Sequence, residues 1–581
     1  MTARSGHPLG RSALLLAAVV ASGAWAKVHA VRRELASTRD LHGVAFVGSD
    51  ACGRCHEDNH RSWHRTFHRT MTAEATPASV LGAFDGATLR HDGVVAKMDR
   101  DPAGAFRITF TPEGGAARAV TVARTVGSHR YQQYLAKEGD TYWRLPVAWH
   151  VDEKRWFPMT GAFLFADDTR LDVPGRPVFG GGVFDRHVTR WNDNCVFCHN
   201  VAPNPGLDAA TGRFSTTTAE LGVACEACHG PGAAHVAANA DPLRRLWLWA
   251  RAAADPTIVN PARLPAERAA EICGRCHGQR ITSDVGPFMA RGDPFVPGDD
   301  LARTTTPLWR DTPLHGDRTA FAPRFWGDGT PRLTAYEYQG LLQSRCAREG
   351  GLTCTTCHGM HEGDPRGQVR VRFRGATADG MCTQCHGTLA DGTAAARHSH
   401  HAERDGVRCV SCHMPRVVYG VLDVHRSHRI EVPDPAKDAA AGRPDACAGC
   451  HVDKPSSAGA SSTIDALSSG GPIERAVAAD ALGRAQVVLD AGARARREAA
   501  LLEAMASDTY PAVRHLAARA LGRLGVAGAT DYDPSAEPET RAEAVARLRR
   551  QLELGVEGRG PEMRVAAGRA PIKDEDIEIG E

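Results

Sequence analysis

The chain has 581 residues, a formal net charge of +2, 42% hydrophobic residues and only 6% aromatics. That length accommodates two or three domains, and the near-neutral charge argues against nucleic acid as the main partner. So few aromatics are too little for an ordinary large core, so the protein needs another source of apolar bulk.

At the N-terminus Arg4 and Arg11 flank the start of an apolar run, Ala13 to Val20, and Ala24-Trp25-Ala26 is a small-x-small site. This predicts an export signal over 1–26, cleaved after Ala26. The alternative is an uncleaved membrane anchor, for which the run is short. Either way the folded chain is expected in the periplasm or outside the cell.

Cys52-Gly-Arg-Cys55-His56 is the first of eight Cys-x-x-Cys-His motifs. The others are Cys195/Cys198/His199, Cys225/Cys228/His229, Cys273/Cys276/His277, Cys354/Cys357/His358, Cys382/Cys385/His386, Cys409/Cys412/His413 and Cys447/Cys450/His451. They take sixteen of seventeen cysteines and leave Cys346, read as a buried thiol. Structural zinc needs four ligands per site and gives no reason for a His after every pair. A redox dithiol needs one pair, and a disulfide framework would not fix the two-residue gap each time. The pattern is that of covalent haem c attachment: two thioether links per haem, with the following His under the iron. Bacteria attach haem outside the cytoplasm, which agrees with the export signal. Eight porphyrins also supply the missing apolar bulk. With roughly −1 per oxidised haem, the net charge becomes about −6.

The first two motifs start 143 residues apart, and the later gaps are 30, 48, 81, 28, 27 and 38. The long first gap contains Phe106-Arg-Ile-Thr-Phe-Thr and Ala119-Val-Thr-Val-Ala around Glu113-Gly114-Gly115, a β-hairpin signal. Residues 27–190 are therefore read as a first-haem segment with a β-rich insertion near 84–185, and 191–455 as a seven-haem core. The short gaps leave only a helix and a loop between haems, so these must sit close together. Residues 456–470 read as a linker. Over 471–556 the pattern is helical: Val513, Leu516, Ala517, Ala520, Leu521 and Leu524 form one stripe, with Pro511 at its start and Gly525 at its end. That matches one HEAT-type repeat, with neighbours expected at 476–488, 497–506 and 542–554. Residues 557–581 read as a disordered tail. The fold expectation is a mainly α, loop-rich multihaem core with a small β-rich insertion and a C-terminal α-helical, HEAT-like region.

Each iron needs a ligand opposite its motif His. Methionine is scarce, and sixteen further histidines lie between 42 and 428, so bis-His ligation is expected, which favours low potentials. His64 and His68 share a helical face after the first motif. His129, His235 and His361 stand beside other motifs, His398, His400 and His401 cluster before the seventh, and His425 and His428 follow it.

The surroundings of the motifs carry a family resemblance. Gly48-Ser-Asp-Ala before Cys52, with Trp63 and His68 after it, contributes to it, as do Gln132-Gln-Tyr-Leu, Arg155-Trp-Phe and Trp191-Asn. So do Val223-Ala-Cys-Glu-Ala-Cys-His-Gly-Pro-Gly, Leu342-Gln-Ser-Arg345, Cys412-His-Met-Pro415, His428 and Asp445-Ala-Cys-Ala-Gly-Cys-His. Over roughly residues 45–455 this resembles the bacterial octahaem c-type cytochromes with a C-terminal TPR or HEAT region. More distantly it resembles the tetrahaem partner of hydroxylamine oxidoreductase and pentahaem nitrite reductase. The resemblance implies packed haem pairs, with His68, His235, His361, His428, one of His400 or His401, and His129 as distal ligands. In relatives Met usually stands at the position of Cys346.

Two functions follow. The first is an electron carrier whose partners are other cytochromes or a quinone-linked reductase, with membrane contact only through an uncleaved N-terminus, and with a homo-oligomer or filament as a further option. The second is an oxidoreductase acting on a small nitrogen or sulfur compound at one open haem. Arg130, Tyr131, Tyr336 and Arg345 are conceivable helpers there, and no CxxCK site is present.

Overall fold

The computed structural model describes residues 40–554 apart from 165–174, 283, 334, 363–367, 403–404, 421 and 456–460, together with Ser22, Gly23, Trp25 and Ala26. The expected export signal, apart from those four residues, and the C-terminal tail lie outside the described residues.

After the first motif the chain builds an eight-stranded antiparallel sheet: β1 Thr72–Glu74, β2 Ala87–His91, β3 Val94–Arg100, β4 Phe106–Pro112, β5 Arg118–Val126, β6 Tyr131–Glu138, β7 Thr141–His150 and β8 Arg155–Pro158. The order runs β2 to β8 in sequence, with β1 added on β5, and the sheet curls into a nearly closed barrel. The alternation of β3 and β4 shows why these residues form strands. Val94, Ala96 and Met98 point inward. They lie beside Phe106, Ile108 and Phe110, in the register Ala96↔Phe110 and Met98↔Ile108. The inside is closed by Phe84, Tyr134, Trp143, Trp149, Trp156, Phe179 and Phe184.

This corrects the expectation of a mainly α chain: 39% of the structure is helix, 17% is strand, and the sheet is a principal layer. The cause is visible in β6 and β7. Gln132–Ala136 and Trp143–His150 are buried on both faces, so they lack the alternation that marks a strand with one wet face. Tyr134 and Ala136 face the barrel interior. Leu135 instead packs outward with Val126, Trp191, Cys195 and Val196, so the sheet's outer face carries the second motif.

From 191 to 455 the helices are short, and the longest described, Pro242–Arg251, has 10 residues. Longer helices follow at Pro472–Arg484, Ala491–Ser507, Pro511–Arg523 and Pro538–Leu554. Helix Thr463–Ser469 precedes them, with Ile464 and Leu467 buried, in the stretch read as linker. Their core is continuous with the sheet and the motif region. Ile473, Ala476, Leu501, Val513 and Leu521 join Ala148, Phe157 and Leu164 from the end of the sheet, and Val418 and Val424 from the hairpin Arg416–Arg426. Charge reinforces this joint. Buried Asp480 takes Arg484 at 2.8 Å and Arg523 at 2.7 Å. Asp423 of the hairpin takes Arg519 at 2.8 Å and also Arg130 from the β5–β6 connection.

Candidate haem-iron centres

Each Cys-x-x-Cys-His closes one helical turn. The His N–H donates to the carbonyl of the first Cys at 2.9 Å in His56, 3.2 Å in His199, 2.8 Å in His277, 2.9 Å in His358, 3.0 Å in His386 and 2.9 Å in His451. Cys225–His229 and Cys409–His413 are helices throughout. The turn stacks the first Cys and the His on one face, with the second Cys beside them. Among the described residues no two cysteines are joined in a disulfide, so every pair is available for thioether links.

Six motif histidines face a histidine from elsewhere in the chain. Ring centroids are 6.2 Å apart for His56–His235, 6.1 Å for His68–His277, 6.1 Å for His229–His361, 6.2 Å for His358–His428, 6.0 Å for His398–His413 and 6.0 Å for His401–His451. An iron bonded at about 2.0 Å to one nitrogen of each ring separates the centroids by roughly 6.3 Å. Spacing alone does not single these pairs out, since His150 and His515 also stand 6.0 Å apart; what sets the six apart is that each contains a motif His. The residues present therefore fit haem iron.

The outer nitrogens agree. Nδ1 of His229 meets the Val259 carbonyl at 2.7 Å, that of His413 the Glu431 carbonyl at 2.7 Å, and that of His401 the Ser399 carbonyl at 2.7 Å. His358 meets Gln368 O at 3.2 Å, His428 meets Arg426 O at 3.2 Å, and His235 meets Asp255 Oδ2 at 3.1 Å. These oxygens only accept, so Nδ1 holds the proton and Nε2 keeps its lone pair for a metal. Burial holds His68, His358 and His428 near pKa 4, which keeps them neutral.

Thiols from different motifs also meet. Cys52 lies near Cys225, Cys198 near Cys276, Cys273 near Cys354 and Cys382 near Cys409. Burial raises the Cys228, Cys357 and Cys412 thiols, and Cys276 adds to this at Cys228, Cys385 at Cys357, and Cys447 with Cys450 at Cys412. In spatial order the motifs run first, third, fourth, fifth, sixth, seventh, eighth, and the second branches from the fourth. Glu226, inside the third motif, holds part of this in place. Its buried carboxylate accepts N–H groups of Val47 at 3.0 Å, Gly48 at 2.8 Å and Gly232 at 2.7 Å, joining the loops that lead to Cys52 and to His235.

Among the described residues no second imidazole faces His199 or His386. Of the other expected ligands, His64 packs against His60 and Trp63, His129 stacks on Phe67 at 4.1 Å, and His400 occupies a left-handed helix end. His398 is the ligand candidate that the resemblance did not supply. It lies in the last turn of the helix Gly392–Ser399, and His401 follows the left-handed residue His400. Arg345 pairs with Glu349 on the surface. Tyr336 is buried and lines a small cavity with Glu337, His425 and His428.

A separate cluster, His150, Glu153 and His515, brings three potential ligand atoms together. Its outer nitrogens differ from those above. Nδ1 of His150 accepts from the Glu153 N–H at 3.2 Å, and Nδ1 of His515 faces the Arg155 guanidinium at 3.1 Å. Both rings then carry the proton on Nε2, and those atoms stand 3.5 and 3.3 Å from Glu153 Oε1. This is a charged joint between the sheet and helix Pro511–Arg523, hydrogen-bonded through the two Nδ1 atoms.

Known proteins point to the same class. Residues 184–230, with the second and third motifs, match the family "Cytochrome c554 and c-prime". Residues 347–391, with the fifth and sixth, match "Doubled CXXCH motif". Together with the motif series these define a multihaem c-type cytochrome, with haem c as its covalently held cofactor. A solved structure similar to the chain is that of outer cell wall cytochrome OcwA, with a TM-score of 0.45 and 19% identity over 87% of this chain and 99% of that one. No curated protein matches.

Proposed function

We propose that the protein is an exported octahaem electron carrier whose irons are mostly closed by two histidines. The six iron-sized imidazole pairs carry this reading. In it His56 pairs with His235, His229 with His361, His277 with His68, His358 with His428, His413 with His398, and His451 with His401. Bound haem supplies one-electron chemistry at iron. The protein supplies the spacing, because the first and third, fourth and fifth, and sixth and seventh motifs bring their cysteines near one another. The first and eighth motifs are the ends of the line. The C-terminal helices act as a HEAT-like unit bracing the hairpin next to His428. Intact mass of the purified protein, combined with a stepwise redox titration, tests the count. Eight haems titrating over a broad low-potential range support it, and fewer than eight overturn it.

A second reading has one observation in its favour. No described imidazole faces His199 or His386, so their irons are the places where a small molecule would bind, with the side-branch second motif first. Carbon monoxide or cyanide binding to one haem of the reduced or oxidised protein supports that reading, and no binding removes it.

A further inference from the structure

Helix Pro242–Arg251 is built to form and built to be exposed. Asp241 caps it, accepting the Leu243 N–H at 3.0 Å, Pro242 opens the first turn, and Ala252 ends it in the left-handed region. Its one fully buried side chain, Arg244 at 3% exposed, grips Asp255 at 2.7 and 2.8 Å. Asp255 in turn holds His235 and Asn239. Burial works against the charge of Asp255, but Arg244, His235, Thr257 and Asn239 outweigh it and hold its carboxyl well below the usual range. The buried face of the helix is thus turned toward a ligand candidate of the first motif.

The other face looks away from those ligands and is apolar. Leu243 is 60% exposed, Leu246 58% and Trp249 80%. At about 100° per residue these three lie on one stripe. Exposed cations flank it. Arg245 donates to the Asn239 carbonyl, Arg251 lies 5.2 Å over the Trp247 ring, and Arg263 donates to Ala252 O at 2.9 Å. None of the three pairs with a carboxylate among the described residues. Residues 236–263 carry Arg244, Arg245, Arg251 and Arg263 against Asp241 and Asp255. This is a positive patch on a protein that eight haems would make acidic overall.

Leucine and tryptophan on one face with arginine at the flanks is the composition of a helix that lies in a lipid headgroup layer. We propose that this helix docks the protein on an anionic membrane surface and holds the first-motif end of the haem line toward it. The loop behind the helix also carries Val259, the partner of His229, so docking places the first and third motifs nearest the lipid. The contact is peripheral and independent of whether the N-terminal segment is cleaved. Charge decides against a neutral surface, because the arginines would then lose their counterpart.

Flotation of the holoprotein with vesicles, read by haem absorbance, tests this. Vesicles of phosphatidylcholine with about one-third phosphatidylglycerol should carry the protein up, and pure phosphatidylcholine should not. The L243S/L246S/W249S variant and the R245E/R251E variant should each bind at least about tenfold more weakly, with an unchanged low-spin spectrum as proof of folding. Absence of flotation, or variants that float like the parent, overturns the proposal. So does a parent dimer in sedimentation equilibrium that the triple variant abolishes, because the stripe is then covered by a second copy. An acidic redox protein that binds the parent but not the variants, in the absence of lipid binding, also overturns it. Lipid binding does not depend on the haem count, so its failure leaves the electron-carrier reading standing.

Discussion

His56 and His235 face each other at 6.2 Å between ring centroids, with their planes 20° apart. One follows the first cysteine pair and the other lies on the helix Ala233–Ala238 after the third. Replacing His235 with alanine should leave one iron short of a ligand. One haem in the holoprotein then turns high-spin and gains carbon monoxide binding, while the spectrum of the others stays as it was. Electron paramagnetic resonance of the oxidised variant reads this directly.

Glu226 links the loops before Cys52 and before His235 through three backbone N–H groups. Glu226→Ala strands the buried Gly232 donor, at about 1–3 kcal/mol before relaxation, and frees the part-buried donors of Val47 and Gly48 to water at less. The expected result is a protein that melts several degrees lower and whose first-motif haem shows altered ligand-field lines. Glu226→Gln keeps one acceptor and should fall between the two.

Arg475 and Asp508 form a forked pair at 2.8 and 3.3 Å, 1% and 4% exposed. Burial pushes the Asp508 carboxyl up, and Arg475 opposes that. Arg475→Met leaves the carboxylate buried without its main cation and should cost about 3–5 kcal/mol in the helical unit. Chemical denaturation followed by far-UV circular dichroism measures it. The double variant Arg475→Met/Asp508→Leu should recover most of the loss.

The His150–Glu153–His515 joint makes stability fall with acid. Burial holds His150 near pKa 4, below its ordinary 6.5, and Glu153 and Asp152 only partly offset it. Burial likewise lowers His515, with Arg155 and Arg519 adding to the effect against Glu153. Between pH 6.5 and 4 the unfolded chain binds protons that the folded chain refuses, so the melting temperature should drop through that window. Burial opposes ionisation of Glu153, but His515, Arg155 and His150 hold its carboxyl well below the ordinary range. It adds a loss of the same sign as pH falls below its unfolded value. His150→Phe should flatten the slope between pH 6.5 and 4 relative to the parent.

The cofactor class was legible in the chain because eight cysteine pairs each carry a His as the very next residue, a purely local signal. Strands such as β3 and β4 were also local, through their alternation. β6 and β7 were not, since burial on both faces comes from the sheet closing on itself and from Trp191 and Cys195 packing outside it. Which histidines face each other depends on contacts across as many as 209 positions, as between His68 and His277, and no spacing rule spans that distance. His398 stands out in the sequence within the cluster before the seventh motif, but its place opposite His413 does not. The joint at Glu153 could not, because His515 arrives from the C-terminal helices.

If six imidazole pairs each hold an iron, those irons are low-spin, and spin states can be counted. Mössbauer or paramagnetic resonance spectroscopy of the fully oxidised holoprotein should show at least six low-spin bis-His haems, with any open iron confined to those of His199 and His386. Fewer than six low-spin haems, or methionine ligation at any of the six, would contradict the account.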